Sequence, residues 1–159
     1  MVFSAKKVIM HTDGACLGNP GRGGYGTILE YGHRKQELAR GFSWTTNNRM
    51  ELWAVIAGIE SLPGMGWNII IYTDSRYVVN AIEKKWLNSW IRNSFKGKKN
   101  KDLWQRFWKL SQQNQVKLHW VKGHAGHPLN EHCDQLAVAA AMKGPWQEDL
   151  EYLRTTQSI

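Results

Sequence analysis

The sequence predicts an α/β domain, a mixed five-stranded sheet with helices on both faces. Three observations carry this. Three extended segments precede the first stripe of helical spacing. Asn68 to Asp74, NIIIYTD, is apolar at consecutive positions, the pattern of a strand covered on both faces. Further helical stripes then alternate with strands, and the order β-β-β-α-β-α-α-β-α places helices on either side of one sheet.

Taken in order, Lys6 to Asp13 is the first strand. Tyr25 to Tyr31 and Gln36 to Trp44 are two more, joined by a turn at Gly32 and His33. Asn48 to Leu62 puts Met50, Leu52, Trp53, Val55, Ile56, Ile59 and Leu62 at helical spacing and stops at Pro63 and Gly64. After the strand Asn68 to Asp74, Ser75 is placed to cap a helix running to about Lys85. Asp102 to Gln113 is a helix with Leu103, Phe107 and Leu110 inward. Val116 to Val121 is the fifth strand, and Pro128 opens a last helix to Met142. Residues 1–144 form one domain, and 145–159 a weakly patterned C-terminal tail.

With 159 residues the chain is long enough for a real core. It has no apolar run that would span a membrane, and its start, MVFSAKKVIM, lacks the apolar region of a signal peptide. Two cysteines, Cys16 and Cys133, make no disulfide framework, so a reducing, cytoplasmic setting is expected.

Charge is the first functional clue. Of 21 Lys and Arg, seven lie between Lys84 and Lys101, where there is no acid; the other 14 against 13 acids nearly balance, so the net +8 is one local patch. Lys84, Lys85, Lys96, Lys98 and Lys99 interleave there with Trp86 and Trp90. Basic and aromatic residues together suit a nucleic-acid backbone. A solvated helix face with Trp86 and Trp90 as its own small core would account for the tryptophans but not for so local an imbalance.

Residues Gly21 to Gly26, GRGGYG, have the spacing of a dinucleotide-binding loop. That loop must open a helix, and an acid must follow about 20 residues on. Here YGTILEYG follows, β-branched and aromatic, and the later zone is SWTTN. The glycines are expected in a bulged hairpin connection instead.

Two strands end alike, HTDG with Asp13 and YTDS with Asp74. In an open α/β sheet ligands bind beyond the carboxyl ends of the strands, so both acids reach one crevice. Unpaired they would repel, and a divalent metal is the simplest partner. Glu51 lies in the first turn of a helix, where with Asn48 it fits either a capping box or the same crevice. Asp134 shares a stripe with Asn130, Ala137 and Ala141; an acid on a partly buried stripe needs a counter-charge. His124, His127, His132 and Cys133 invite a zinc reading, but there is no Cys-x-x-Cys, and oxygen ligands suit Mg2+ or Mn2+.

The blocks TDGACLGNPGRGGYG, TTNNRMELWAVIAGIESL, YTDSRYV and WVKGHAGHPLNEHCDQLA occur in the order of type 1 ribonuclease H, which the chain resembles over roughly residues 6 to 142. The resemblance implies a ribonuclease H-like fold and a metal-dependent endonuclease. It would cut the RNA strand of RNA–DNA hybrids, leaving 5′-phosphate and 3′-hydroxyl ends. It implies Asp13, Glu51, Asp74 and Asp134 as ligands of two Mg2+ ions, with Mn2+ as a substitute, and His124 as an auxiliary catalytic residue. It also implies hybrid contacts at Asn19, Thr46, Asn47, Asn48 and the main chain near Cys16. The segment 84–101, including Asn100, resembles the family's hybrid-binding protrusion. Arg76 stands where relatives often carry glutamine; a cation there suits a phosphate. The expected protein is a monomer whose partner is an RNA–DNA hybrid, not a membrane. The rival enzyme would be a nuclease of the same broad fold acting on branched or duplex DNA. A non-catalytic binding module would be expected to lack one of the acids, and all four are present.

Overall fold

The computed structural model describes residues 6–123 and 126–157. Strand β1 (Lys7–Cys16) buries Val8, Met10 and Thr12 at alternate positions and is central. On one side it pairs antiparallel with β2 (Gly21–Tyr31), which pairs antiparallel with β3 (Arg34–Thr45). On the other it pairs in parallel with β4 (Asn68–Thr73), followed by β5 (Gln115–Trp120). Helix α1 (Asn47–Glu60) packs on β1 and β2 through Met50, Ala54 and Gly58, and α5 (Pro128–Lys143) packs on β1, β2 and β3. Between β4 and β5 come α2 (Arg76–Glu83), α3 (Trp86–Arg92) and α4 (Lys101–Gln113).

Several sequence expectations need correction. The sheet has six strands, not five: β6 (Trp146–Gln147) pairs in parallel with β3 at Gly41 and Phe42, giving the order β5-β4-β1-β2-β3-β6. Two residues are too few to show alternation. Helix α6 (Leu150–Gln157) follows, so the weakly patterned stretch after Gly144 carries structure. Within the basic segment α3 forms a short helix that the periodicity did not reveal, flanked by left-handed backbone at Lys85, Ser94, Phe95, Gly97 and Asn100. GRGGYG is not a hairpin connection but the start of β2, with an irregular register between Gly21 and Gly23. Its glycines serve packing. A Cβ on Gly24 would lie 2.4 Å from the Ala137 carbonyl, and one on Gly26 2.4 Å from that of Cys133, so α5 rests against bare strand backbone.

The start of α1 also differs. It is capped by Thr46, whose hydroxyl accepts from the Arg49 amide at 3.2 Å. The helix therefore starts before Asn48, and Arg49 occupies the third helical position that a capping box would give to an acid. Glu51 is released from that role.

Arg49 is 2 % exposed. Its guanidinium donates to both oxygens of Asp102 at the start of α4 (2.8 and 2.7 Å) and both of Asp149 before α6 (2.7 and 2.9 Å). Burial alone would lower its pKa, but the two carboxylates hold it above its usual value. Asp149 also accepts from Thr45 Oγ1 at 2.8 Å. One buried cation thus ties α1, α4 and the C-terminal segment together. Replacing Asp149 by Ala is expected to cost about 3 kcal/mol in urea unfolding, because the partner charge stays buried, and Asp102→Ala less, because that acid is more exposed. A loss at Asp149 no greater than that of an ordinary surface change would refute this role.

Candidate active site

Parallel pairing of β1 with β4 sets Thr12 beside Thr73, so Asp13 and Asp74, each the next residue, emerge side by side. Glu51 reaches them from α1 because Gly14 has no side chain: a Cβ there would lie 2.4 Å from the Glu51 amide nitrogen. One carboxylate oxygen from each of Asp13, Glu51 and Asp74 lies within 4.8 Å of the others. Asp13 accepts from the Gly14 amide at 2.9 Å, and Glu51 from Asn47 Nδ2 at 3.1 Å. Gly123 presses on the third acid, since a Cβ there would sit 2.6 Å from Asp74 Oδ2.

Burial, then the charges of Asp74 and Asp134, push the Asp13 pKa far above the ordinary carboxylate range. Glu51 is pushed up to about 7 by burial, opposed by a hydrogen bond with Ser75 and assisted by the charge of Asp74. Crowded acids that resist ionisation mark a site in want of positive charge. Hard oxygen donors in that arrangement fit a divalent cation.

Asp134, half-buried on α5, acts on Asp13 through its charge but lies outside the tight group of three. His124 lies outside the described residues. The other histidines do not build a zinc site: His127 is the exposed N-cap residue of α5, and His132 pairs with Glu37 at 3.1 Å. Cys133 is buried and donates to the His11 carbonyl at 3.1 Å, its thiol pushed up to about 12, mainly by burial.

Across the first turn of α1, whose Asn47 bonds Glu51, a cleft of about 890 Å3 is lined by Asn19, Thr46, Asn48, Lys98, Lys99 and Asn100, with Asp102 and Glu151 also in its wall. Asn19 Oδ1 accepts from the Asn47 amide at 3.2 Å, joining the glycine loop to the helix start. The Asn100 side chain spans Arg49 and Tyr77. The Cys16 thiol bonds back to the Gly18 carbonyl of its own loop. Lys84, Lys85, Trp86 and Lys96 are exposed outside this lining, with Lys84 over the Trp86 ring at 5.2 Å. Trp90 is divided between roles: one edge packs on Trp104 at 5.5 Å while Lys98 lies 5.3 Å above its ring. Sequence patterns do not single out Arg49, Gly123 or Trp120. The Arg49 knot joins residues some 50 and 100 positions apart, so no local pattern announces it.

The RNase H family model matches residues 5–142. The chain belongs to the ribonuclease H family. A ribonuclease H of Desulforamulus reducens is 59 % identical over 142 residues, 86 % of this chain and 88 % of that one. Ribonuclease H of Rippkaea orientalis is 50 % identical, with 94 % of each chain covered. Among solved structures, LC9-RNase H1, described as a type 1 RNase H with the type 2 active-site motif, is 32 % identical. It superposes with a TM-score of 0.79 over 89 % of this chain and 75 % of its own. LC11-RNase H1, solved in complex with RNA/DNA hybrid, shares the fold at 21 % identity and a TM-score of 0.66, over 86 % and 97 % of the two chains. The protein is a ribonuclease H enzyme, and no helix among the described residues is long and apolar enough to cross a membrane.

The elevated carboxyl pKa values have a stability consequence with a definite sign. Unfolded, Asp13 titrates at about 4; folded without metal it holds its proton to much higher pH. As pH rises between those values the unfolded state ionises first, so the metal-free fold loses stability. Glu51 acts in the same direction up to about pH 7. Urea unfolding in chelator should therefore show Asp13→Asn level with wild type at about pH 4 and more stable by about 1–3 kcal/mol at about pH 8. Divalent metal should narrow the gap. A pH-independent difference would show that Asp13 is not strained by its neighbours.

Proposed function

We propose that the enzyme hydrolyses the RNA strand of RNA–DNA hybrids, leaving 5′-phosphate and 3′-hydroxyl ends, with two Mg2+ ions bound alongside the substrate and Mn2+ as a substitute. The observation that carries this is the trio Asp13, Glu51 and Asp74, crowded within 4.8 Å, with the first turn of α1 joining it to a cleft that Lys98 and Lys99 line. Asp134 completes the ligand set. Bound between these acids, the ions would activate a water and stabilise the leaving oxygen of an in-line displacement.

The chain's own groups do the rest. The start of α1 presents Asn47 and Asn48, and the glycine loop presents Asn19, with donors and acceptors suited to 2′-hydroxyls across the minor groove. Thr46 and Asn100 shape the cleft wall, and the backbone near Cys16 supports the loop. Lys98 and Lys99 in the cleft, with Lys84, Lys85 and Lys96 exposed on the same basic segment, hold phosphates, while Trp86 and Trp90 offer ring faces. His124 transfers a proton or aids product release. The enzyme acts as a monomer in the cytoplasm.

Cleavage of a labelled hybrid, titrated with Mg2+ and then stopped with chelator, tests the assignment. Asp13→Asn and Asp74→Asn should abolish cleavage. His124→Ala should slow turnover by about 10²–10⁴-fold at an unchanged metal requirement. Full activity in either Asp variant, or equal cutting of duplex DNA, would refute the reading.

Neutralising Lys96, Lys98 and Lys99 together should raise KM more than it lowers kcat. It should also flatten the log–log salt dependence of hybrid binding by roughly 0.7–0.9 for each phosphate left without its lysine. An unchanged slope would leave these lysines as surface solvation.

A further inference from the structure

Trp120 ends β5 opposite Thr73, where the Val121 amide donates to the Thr73 carbonyl at 2.9 Å. Its indole Nε1–H donates to the main-chain carbonyl of Asp74 at 3.0 Å. The ring is thereby fixed to the turn that presents one of the three acids. Directly over that ring, Cζ 3.9 Å from the centroid, lies the guanidinium of Arg76, the first residue of α2.

This cation is placed against local preference. A positive charge in the first turn of a helix opposes the helix dipole. Among the described residues no carboxylate pairs with Arg76, although Asp74 is two residues away. The side chain is exposed. Stacking on the indole is what orients it, and stacking occupies the face of the guanidinium while leaving its five N–H donors at the edge free. A planar donor edge held beside a phosphodiester-cleaving site matches a phosphate geometrically as a lysine would not.

Resting on the function proposed above, we propose that the Arg76 guanidinium grips a substrate phosphate neighbouring the one at the acids. Trp120 is the positioning residue that holds it there. Arg76 thus forms a second anion contact, separate from the lysine cleft.

The experiment is steady-state cleavage of a labelled RNA–DNA hybrid in Mg2+ across a salt series. It compares wild type with Arg76→Gln, Arg76→Lys, Trp120→Leu, Trp120→Phe and the double variant Arg76→Gln/Trp120→Leu. Arg76→Gln should raise KM about 10-fold and reduce the salt slope by roughly 0.7–0.9, with the loss falling on KM rather than kcat. Arg76→Lys keeps the charge and should recover the slope but only part of the KM. Trp120→Leu should raise KM in the wild-type background and add nothing once Arg76 is Gln, whereas Trp120→Phe keeps a ring face but loses the Nε1–H bond to Asp74 and should fall between Trp120→Leu and wild type. Unchanged KM and slope in Arg76→Gln, or an equal cost of Trp120→Leu in both backgrounds, would overturn the proposal. Failure of the wild type itself to cut the hybrid would instead overturn the function on which it rests.

Discussion

Three carboxylates are held within 4.8 Å of one another, with no cation paired to them among the described residues. Mutual repulsion opposes that crowding, so the rest of the fold must impose it. Parallel pairing of β1 and β4 fixes two of the acids, and the bare backbone at Gly14 lets α1 bring the third. On the other face Gly24 and Gly26 let α5 settle equally close. The hydrophobic core beneath, with Met10, Leu52, Ile56, Ile69 and Ile71 almost wholly buried, supplies the stability that the acids subtract. The acid cluster is thus preorganised by packing, and a bound cation would relieve its electrostatic strain without protonation.

The elements that carry this arrangement were legible because their signals are local. The stripe from Met50 to Leu62, the run NIIIYTD and the two Asp residues are each readable within a dozen residues or so; the helix and the strand took their places, Asp74 follows the end of β4, and Asp13 meets it from within β1, which runs on to Cys16 instead of ending at the acid. The acids were legible for a further reason: charge at the carboxyl end of a buried strand has few structural uses. Glu51 was ambiguous, and only the position of the cap at Thr46 separated its two roles.

What escaped the sequence is non-local. Strand β6 exists because β3 offers an edge, and Trp146 fixes it by donating to the Ala141 carbonyl at 2.8 Å and lying 4.0 Å from the Arg22 guanidinium. The Arg49 knot needs three distant segments to meet. The glycines of GRGGYG suggest a connection because glycine signals turns in general, whereas here it marks the close approach of a helix that lies more than a hundred residues later in the chain.

The basic segment is tied to the fold at Tyr77 and through the core. Asn100 and Trp104 donate to the Tyr77 hydroxyl at 2.9 and 2.8 Å, and Leu87 and Phe95 fill its interior. Its lysines share no strand with the acids. The basic segment and the acids therefore sit on separate pieces of chain. Such a segment could be lengthened, recharged or trimmed without redrawing the sheet that holds the acids in place.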